Sequence, residues 1–339
     1  GAAGFPADDL AVIDGGANDA ADVIGAFLAA SRDQGANFKA LLSTKIDAAT
    51  LGALLQQGQA GMAQAGGLYM QNLAKGFVSS IQTNVLGKGA TRVAILNVPA
   101  ITLTPRFQLV LQSVAQQQGS AAAAQLETVF DGWVKAFNQQ VATGFAGESR
   151  VAIIDFYSEF RQQMADPAQY AYTNVKKAAC PATGVGADGL PTYSFPTCTE
   201  AALSASIPVG ETSANWWKSY AFADSFHPTP YGHQQMSQLA SRTLARAINS
   251  RSCSACSNPT RSDTALSLHG KLRITAGEID RRELSAGSQS EQFFEGHQLH
   301  GRTRDHKPVE LLMRHIGKVA IEGEHVLGIC ILRGMAGDL

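Results

Sequence analysis

Three short apolar runs, each ending in a polar residue, constrain this chain more than any other feature. They are Leu10-Ala-Val-Ile-Asp14, Arg92-Val-Ala-Ile-Leu-Asn97 and Arg150-Val-Ala-Ile-Ile-Asp155. A continuous run without alternation describes a strand covered on both faces, as in a parallel sheet. Amphipathic stretches separate the runs. Leu126, Val129, Phe130, Trp133, Val134, Phe137 and Val141 recur at helical spacing on one face, and a weaker helical segment covers Leu68 to Leu86. Alternating strand and helix requires crossover connections. The expected fold is therefore α/β, a three-layer sandwich around a parallel, flavodoxin-like sheet. In such sheets ligands gather at the carboxyl ends of the strands.

A further helix is marked by its start. Thr229 is placed to cap it and Pro230 to occupy its first turn, where a missing N–H is no loss. Met236, Leu239, Ala240, Leu244 and Ile248 then share one face. Beyond it the composition changes. Residues 1–250 hold 15 Lys+Arg and 17 Asp+Glu, whereas residues 251–339 hold 12 and 11 together with six of the eight histidines. Charge density thus doubles across a polar stretch at 249–260. The expected division is a domain over 1–250 and a tail or small appended segment over 251–339. In the tail, Val319-Ala-Ile and Val326–Leu332 have strand character, and Ser285–Lys307 reads as polar and irregular.

The formal net charge is −1, which gives no indication of a nucleic-acid or anionic-membrane partner. No apolar run approaches the roughly 18 residues a membrane span needs. Of five cysteines, Cys180 and Cys198 flank a loop rich in Gly, Pro and Thr. Either they form a disulfide, implying an oxidising compartment, or they remain two thiols; the disulfide is the expectation. Cys253-Ser-Ala-Cys256 has metal or redox spacing but no second pair. The tail histidines lack ligand-like spacing with acidic or Cys partners. No metal or cofactor is expected.

Two clusters carry chemistry. In Asp224-Ser-Phe-His227-Pro228, a carboxylate three residues before a histidine lies on the same side of one turn. It orients one imidazole nitrogen and leaves the other for general-base work. Pro228 keeps His227 out of helical geometry. The competing account is an ordinary exposed Asp and His ahead of a helix. In Gly15-Gly-Ala-Asn18-Asp19, glycines after a buried strand permit a sharp turn, and the Asn18 amide suits a developing oxyanion. The competing account is a turn in which Asn or Asp caps the next helix. Among the remaining polar and aromatic residues, His233 reads as a surface position and Asn138 as a loop bridge. Trp216, Trp217 and Tyr220 read as core or lid packing.

Together the two clusters resemble the SGNH (GDSL) serine hydrolases. The Gly-x-Asn-Asp block is similar to that family's oxyanion-hole motif, and Asp224-Ser-Phe-His227-Pro to its Asp-x-x-His motif. Asn97-Val-Pro-Ala-Ile-Thr-Leu-Thr-Pro105 and Asp166-Pro-Ala-Gln-Tyr-Ala-Tyr-Thr-Asn-Val175 resemble segments of the bacterial phospholipase/lecithinase/haemolysin-like branch. The resemblance covers residues 8–249. It implies ester hydrolysis with His227 as general base, Asp224 as its orienting partner and Asn18 as one oxyanion donor, on a lipid or small-molecule ester. It also implies a secreted, periplasmic or outer-membrane-associated protein. One departure stands out: no Gly-Asp-Ser occurs, and the closest string, Gly337-Asp338-Leu339, lacks the serine. Ser225 sits beside the base but reads as part of the local turn. The expectation is an N-terminally truncated hydrolase that lacks its nucleophile block and first strands, and is inactive as it stands. Two rivals are a non-catalytic lipid- or carbohydrate-binding module and an esterase of acetylated polysaccharide.

Overall fold

The computed structural model describes residues 4–6 and 9–247, and beyond them the backbone of α9 to residue 254 and of five strands. The elements run β1 (Asp9–Asp14), α1 (Ala17–Asp33), α2 (Ala36–Ser43), α3 (Ala48–Leu55), α4 (Gly58–Asn84), β2 (Val93–Leu96), α5 (Pro105–Gln118), α6 (Ser120–Gly144), β3 (Val151–Ile154) and α7 (Phe156–Ala165). There follow β4 (Asn174–Ala178), β5 (Gly184–Val185), β6 (Pro191–Thr192), α8 (Glu200–Ala205), β7 (Tyr220–Phe222) and α9 (Pro230–Ser254). The last strands are β8 (Arg273–Ala276), β9 (Leu299–Arg302), β10 (Pro308–His315), β11 (Val319–Ile321) and β12 (His325–Gly334).

The three apolar runs are β1, β2 and β3, and they pair in parallel: Ala11 lies opposite Val93, and Val93 opposite Val151. Each crossover between them is helical, so the domain is α/β, mostly helical around a small parallel sheet. The sheet continues past β1 with antiparallel strands in the order β3-β2-β1-β12-β10-β9-β8. One strand, Leu299–Arg302, falls inside the stretch read as polar and irregular. A strand there could not be foreseen, because neither alternation nor an apolar run marks it. Cys256 lies outside the described residues.

One core unites the sheet with α1, α4 and α6. Ile13 and Ile95 are fully buried in it beside Val23, Met70, Phe130 and Phe137. The aromatic stripe on α6 is buried as its spacing requires. Trp133 packs edge-on to Phe27 at 5.5 Å between ring centres and donates from Nε1 to the Ala63 carbonyl at 2.7 Å. A second core gathers Phe156, Phe160, Tyr172 and Phe222, with Met236 and Leu239 of α9 against it. A third, small core holds Trp216, Trp217 and Tyr220 against Leu203 and Cys198. These aromatics are packing residues of the segment between β4 and β7.

Asn138 bridges as expected. It accepts from Val98 N at 2.9 Å and donates to Val98 O at 2.8 Å, fixing the chain where it leaves β2. His233, expected at the surface, is half-buried instead, since the first turns of α9 pack against β7 and β3.

Candidate active site

β1 ends at Asp14, and the chain must then turn at once into α1. Gly16 makes the turn with φ +95°, a backbone region that penalises any side chain. A Cβ there would also stand 2.7 Å from the Phe137 ring. Gly16 is the N-cap of α1 and has no side chain with which to cap it. Asn18 lies exposed on the first turn of α1, among backbone N–H groups that have no partner within the helix. Asp14, the last residue of β1, is pushed up to about 6 by burial, against a smaller opposing effect of its own backbone N–H.

The second cluster is a tight turn between β7 and α9. Ala223 N donates to His227 O at 2.8 Å, and Phe222 forms an antiparallel bridge with Pro228. Thr229 caps α9 as expected, accepting from Gly232 N at 3.1 Å, and its hydroxyl donates to Tyr220 O at 2.6 Å. Inside the turn, one carboxylate oxygen of Asp224 accepts from the backbone N–H groups of Phe226 and His227, both at 2.6 Å. The other oxygen meets His227 Nδ1 at 2.8 Å. Burial works to raise the Asp224 carboxyl. The hydrogen bond and charge of His227 and the two backbone donors outweigh it and hold the group below the ordinary carboxylate range. The Asp224 side chain is 10% exposed and the imidazole 43%. A buried carboxylate thus holds Nδ1 of a ring that still reaches solvent.

The turn is fastened to the exit of β2. Arg106 N, in the first turn of α5, donates to Ser225 O at 2.7 Å, and the Phe107 and Phe226 rings meet edge-on at 6.1 Å. β1 and β2 are parallel, so Asn18 follows the carboxyl end of one strand and the Asp224–His227 turn is fastened beyond the carboxyl end of its neighbour. The structure joins Asp224 to His227 directly; Asn18 makes no such bond within the turn. Ser225 is 3% exposed and serves the turn.

Two features escaped the sequence reading. Cys180 and Cys198 form the expected disulfide, with Cα atoms 5.5 Å apart, but the loop it closes reaches the turn. Phe195 stands edge-on to the His227 ring at 6.0 Å between centres, and Asp188 pairs with Arg106 at 3.0 Å. The aromatic pair Tyr193 and Phe195 in a loop otherwise rich in Gly, Pro and Thr was the available signal. Asn97, at the end of β2, donates to Asp155 at 2.9 Å and accepts from Tyr157 N at 2.7 Å, tying the ends of β2 and β3 together.

Among the described residues no group of His, Cys, Asp and Glu is arranged to hold a metal, and no helix is long and apolar enough to cross a membrane. No curated protein matches the sequence. The model of one family, GDSL-like Lipase/Acylhydrolase, matches residues 4–240, well over half of the chain and both clusters. The chain therefore belongs to the GDSL-like lipase/acylhydrolase family.

Proposed function

We propose that this is a carboxylic-ester hydrolase working through an acyl-serine intermediate, with His227 as general base, Asp224 as its orienting carboxylate and Asn18 as an oxyanion donor. The observation that carries the reading is the Asp224–His227 pair: 2.8 Å long, fixed by two further backbone donors, and ending in a half-exposed imidazole. In this scheme His227 Nε2 takes the serine proton as its oxygen adds to the ester carbonyl. The Asn18 amide faces the oxygen that gains charge. The imidazolium then protonates the departing alkoxide, and water repeats the sequence to release the acid. The exposed Asn18 in the first turn of α1, just beyond the carboxyl end of β1, supports the oxyanion role.

No Gly-Asp-Ser occurs among these 339 residues, so the scheme draws its serine from outside them. It assigns them alone no more than residual turnover. The substrate is a lipid or short-chain acyl ester. The disulfide supports action in an oxidising compartment, in or beyond the cell envelope.

The test joins the sequence encoded upstream of Gly1 to the chain and assays p-nitrophenyl butyrate. Turnover should appear with the upstream segment and fall roughly 10²–10⁴-fold in His227→Ala. Asn18→Ala should lower kcat roughly 10²–10³-fold with little change in KM. An upstream frame with no Gly-Asp-Ser, or turnover indifferent to His227→Ala, removes the proposal.

A further inference from the structure

The loop between Cys180 and Cys198 is rich in Gly, Pro and Thr, which alone predicts a wandering surface segment. It is held at five points instead. Its entrance is Cys180 N donating to Ala223 O at 2.8 Å, one residue before Asp224. β5 and β6 zip its middle into a hairpin, with Gly184 opposite Thr192. Asp188 near the hairpin tip pairs with Arg106, the residue whose backbone holds Ser225. The Tyr193 side chain hydrogen-bonds Ser225. The disulfide then returns the chain to its starting point. All these ties except the hairpin and the disulfide run to the Asp224–His227 turn or to the segment that holds it.

What this loop presents to the turn is Phe195, half-buried, its ring edge-on to the imidazole at 6.0 Å and 76°. Phe226 meets the same imidazole at 5.3 Å and 88° but belongs to the turn and is anchored on the main core. The imidazole therefore meets two aromatic rings, one of the turn and one brought by a separate, covalently closed loop.

The chemistry of the base decides which part of a substrate meets Phe195. His227 Nδ1 is taken by Asp224, so Nε2 must deliver the proton to the departing oxygen, at hydrogen-bonding distance of about 3 Å. The first carbons of the alcohol moiety are then forced beside the imidazole, and the acyl chain lies on the far side of the carbonyl. We propose that Phe195, carried by the Cys180–Cys198 loop, selects the alcohol side of the ester and favours alcohols with an aromatic or bulky apolar first group. Such a group meets a ring edge or face, a contact that favours aromatic partners beyond simple area burial. A polyhydroxylated alcohol would be desolvated there against carbon. The assignment rests on His227 acting as general base.

The test separates the two readings. In the 339-residue chain with ¹³C-labelled histidine, the His227 ring signal is identified by its loss in His227→Gln. It is then followed at constant pH during titration with benzyl alcohol and, separately, with glycerol. Benzyl alcohol should move the signal saturably and glycerol should not. Phe195→Ala should weaken benzyl alcohol by about tenfold, Phe195→Leu by less, and Cys180→Ser with Cys198→Ser should weaken it too. Equal response to both alcohols, or a benzyl alcohol affinity unchanged by Phe195→Ala in a chain that keeps its dispersed spectrum, overturns the proposal. In the chain extended to include a serine segment, Phe195→Ala should lower kcat/KM for benzyl butyrate against methyl butyrate by a similar factor. The order of preference among p-nitrophenyl acetate, butyrate and octanoate should stay as it was. A shift in acyl preference alone also overturns it. Phe195-dependent benzyl alcohol binding with no ester turnover by the extended chain would defeat the hydrolase reading and, with it, the selection of ester alcohols by Phe195, leaving only an aromatic-binding contact beside His227.

Discussion

Asp14 shows how one residue sets a pH dependence. It closes β1 and is carried by burial from the ordinary carboxylate value of 3.8 to about 6. A carboxyl whose pKa is higher folded than unfolded binds its proton more tightly in the native state. Its contribution is complete below about 3.8 and disappears as pH rises through 6. Asp14→Asn removes the charge that must be buried above that range. The variant should be more stable than the parent at pH 8 by on the order of 2 kcal/mol and indistinguishable near pH 3.5. Urea unfolding at the two values measures both, and an equal difference at each would contradict the burial argument. The same local logic explains which site residues were legible. Asp224 and His227 are three residues apart in one turn, so their contact is a property of the sequence itself. Pro228 and Thr229 fixed the turn's exit in the same way. Phe195 was illegible because its approach to His227 depends on a hairpin, a disulfide and an ion pair acting together, none of which leaves a spacing to read. Asn18 could be placed by its strand and helix, since the glycines before it dictate the turn.

Helices α4 and α6 show what an element needs beyond its own periodicity. Gly66 of α4 lies where a Cβ would stand 2.3 Å from the Trp133 indole. That indole has no room to retreat: Phe27, Phe38 and Phe130 surround it at 5.5, 6.3 and 5.3 Å, and its N–H is committed to Ala63 O. Alanine favours a helix interior over glycine by about 1 kcal/mol, yet overpacking a closed core costs about 1–3 kcal/mol. The clash should win. Gly66→Ala is expected to lower the unfolding free energy by about 1–2 kcal/mol, and a stabilised variant in urea titrations would show that the helices separate easily. This close approach also accounts for a blurred sequence signal. α4 runs from Gly58, ten residues before the expected Leu68, because glycines at 58, 61, 66 and 67 break the apolar periodicity; Gly66 and Gly67 lie against Trp133 of α6 and Gly61 against Leu54 of α3. The α6 stripe contains no such glycine and was plain. The three parallel strands were plain for the opposite reason: covered on both faces, they have nothing to alternate.

At the scale of the whole molecule, the question is what lies along the free side of β1. A buried strand needs partners on both edges, and its sequence states that need without naming the partner. The composition break near residue 250 falls inside α9, and beyond it β12 runs antiparallel to β1 from Asp9 opposite Arg333 to Asp14 opposite Gly328. Pairing across more than three hundred residues is invisible to any local pattern, although the apolar run Val326–Leu332 was a visible strand. Direction along β1 makes this pairing testable amide by amide. Ala11 N donates toward β2, to Arg92 O at 3.0 Å, so Ala11 and Ile13 face β2. Leu10 and Val12, one residue out of phase, face β12. In a chain ending at Ser254, Leu10 and Val12 should lose protection from hydrogen exchange while Ala11 and Ile13 keep theirs, because β2 and β3 remain. The exposed edge should also make the shortened chain self-associate more readily. If residues 251–339 instead form an appended segment that leaves the hydrolase domain's sheet untouched, all four amides will exchange as they do in the intact chain. That result would return β1 to the position of an edge strand.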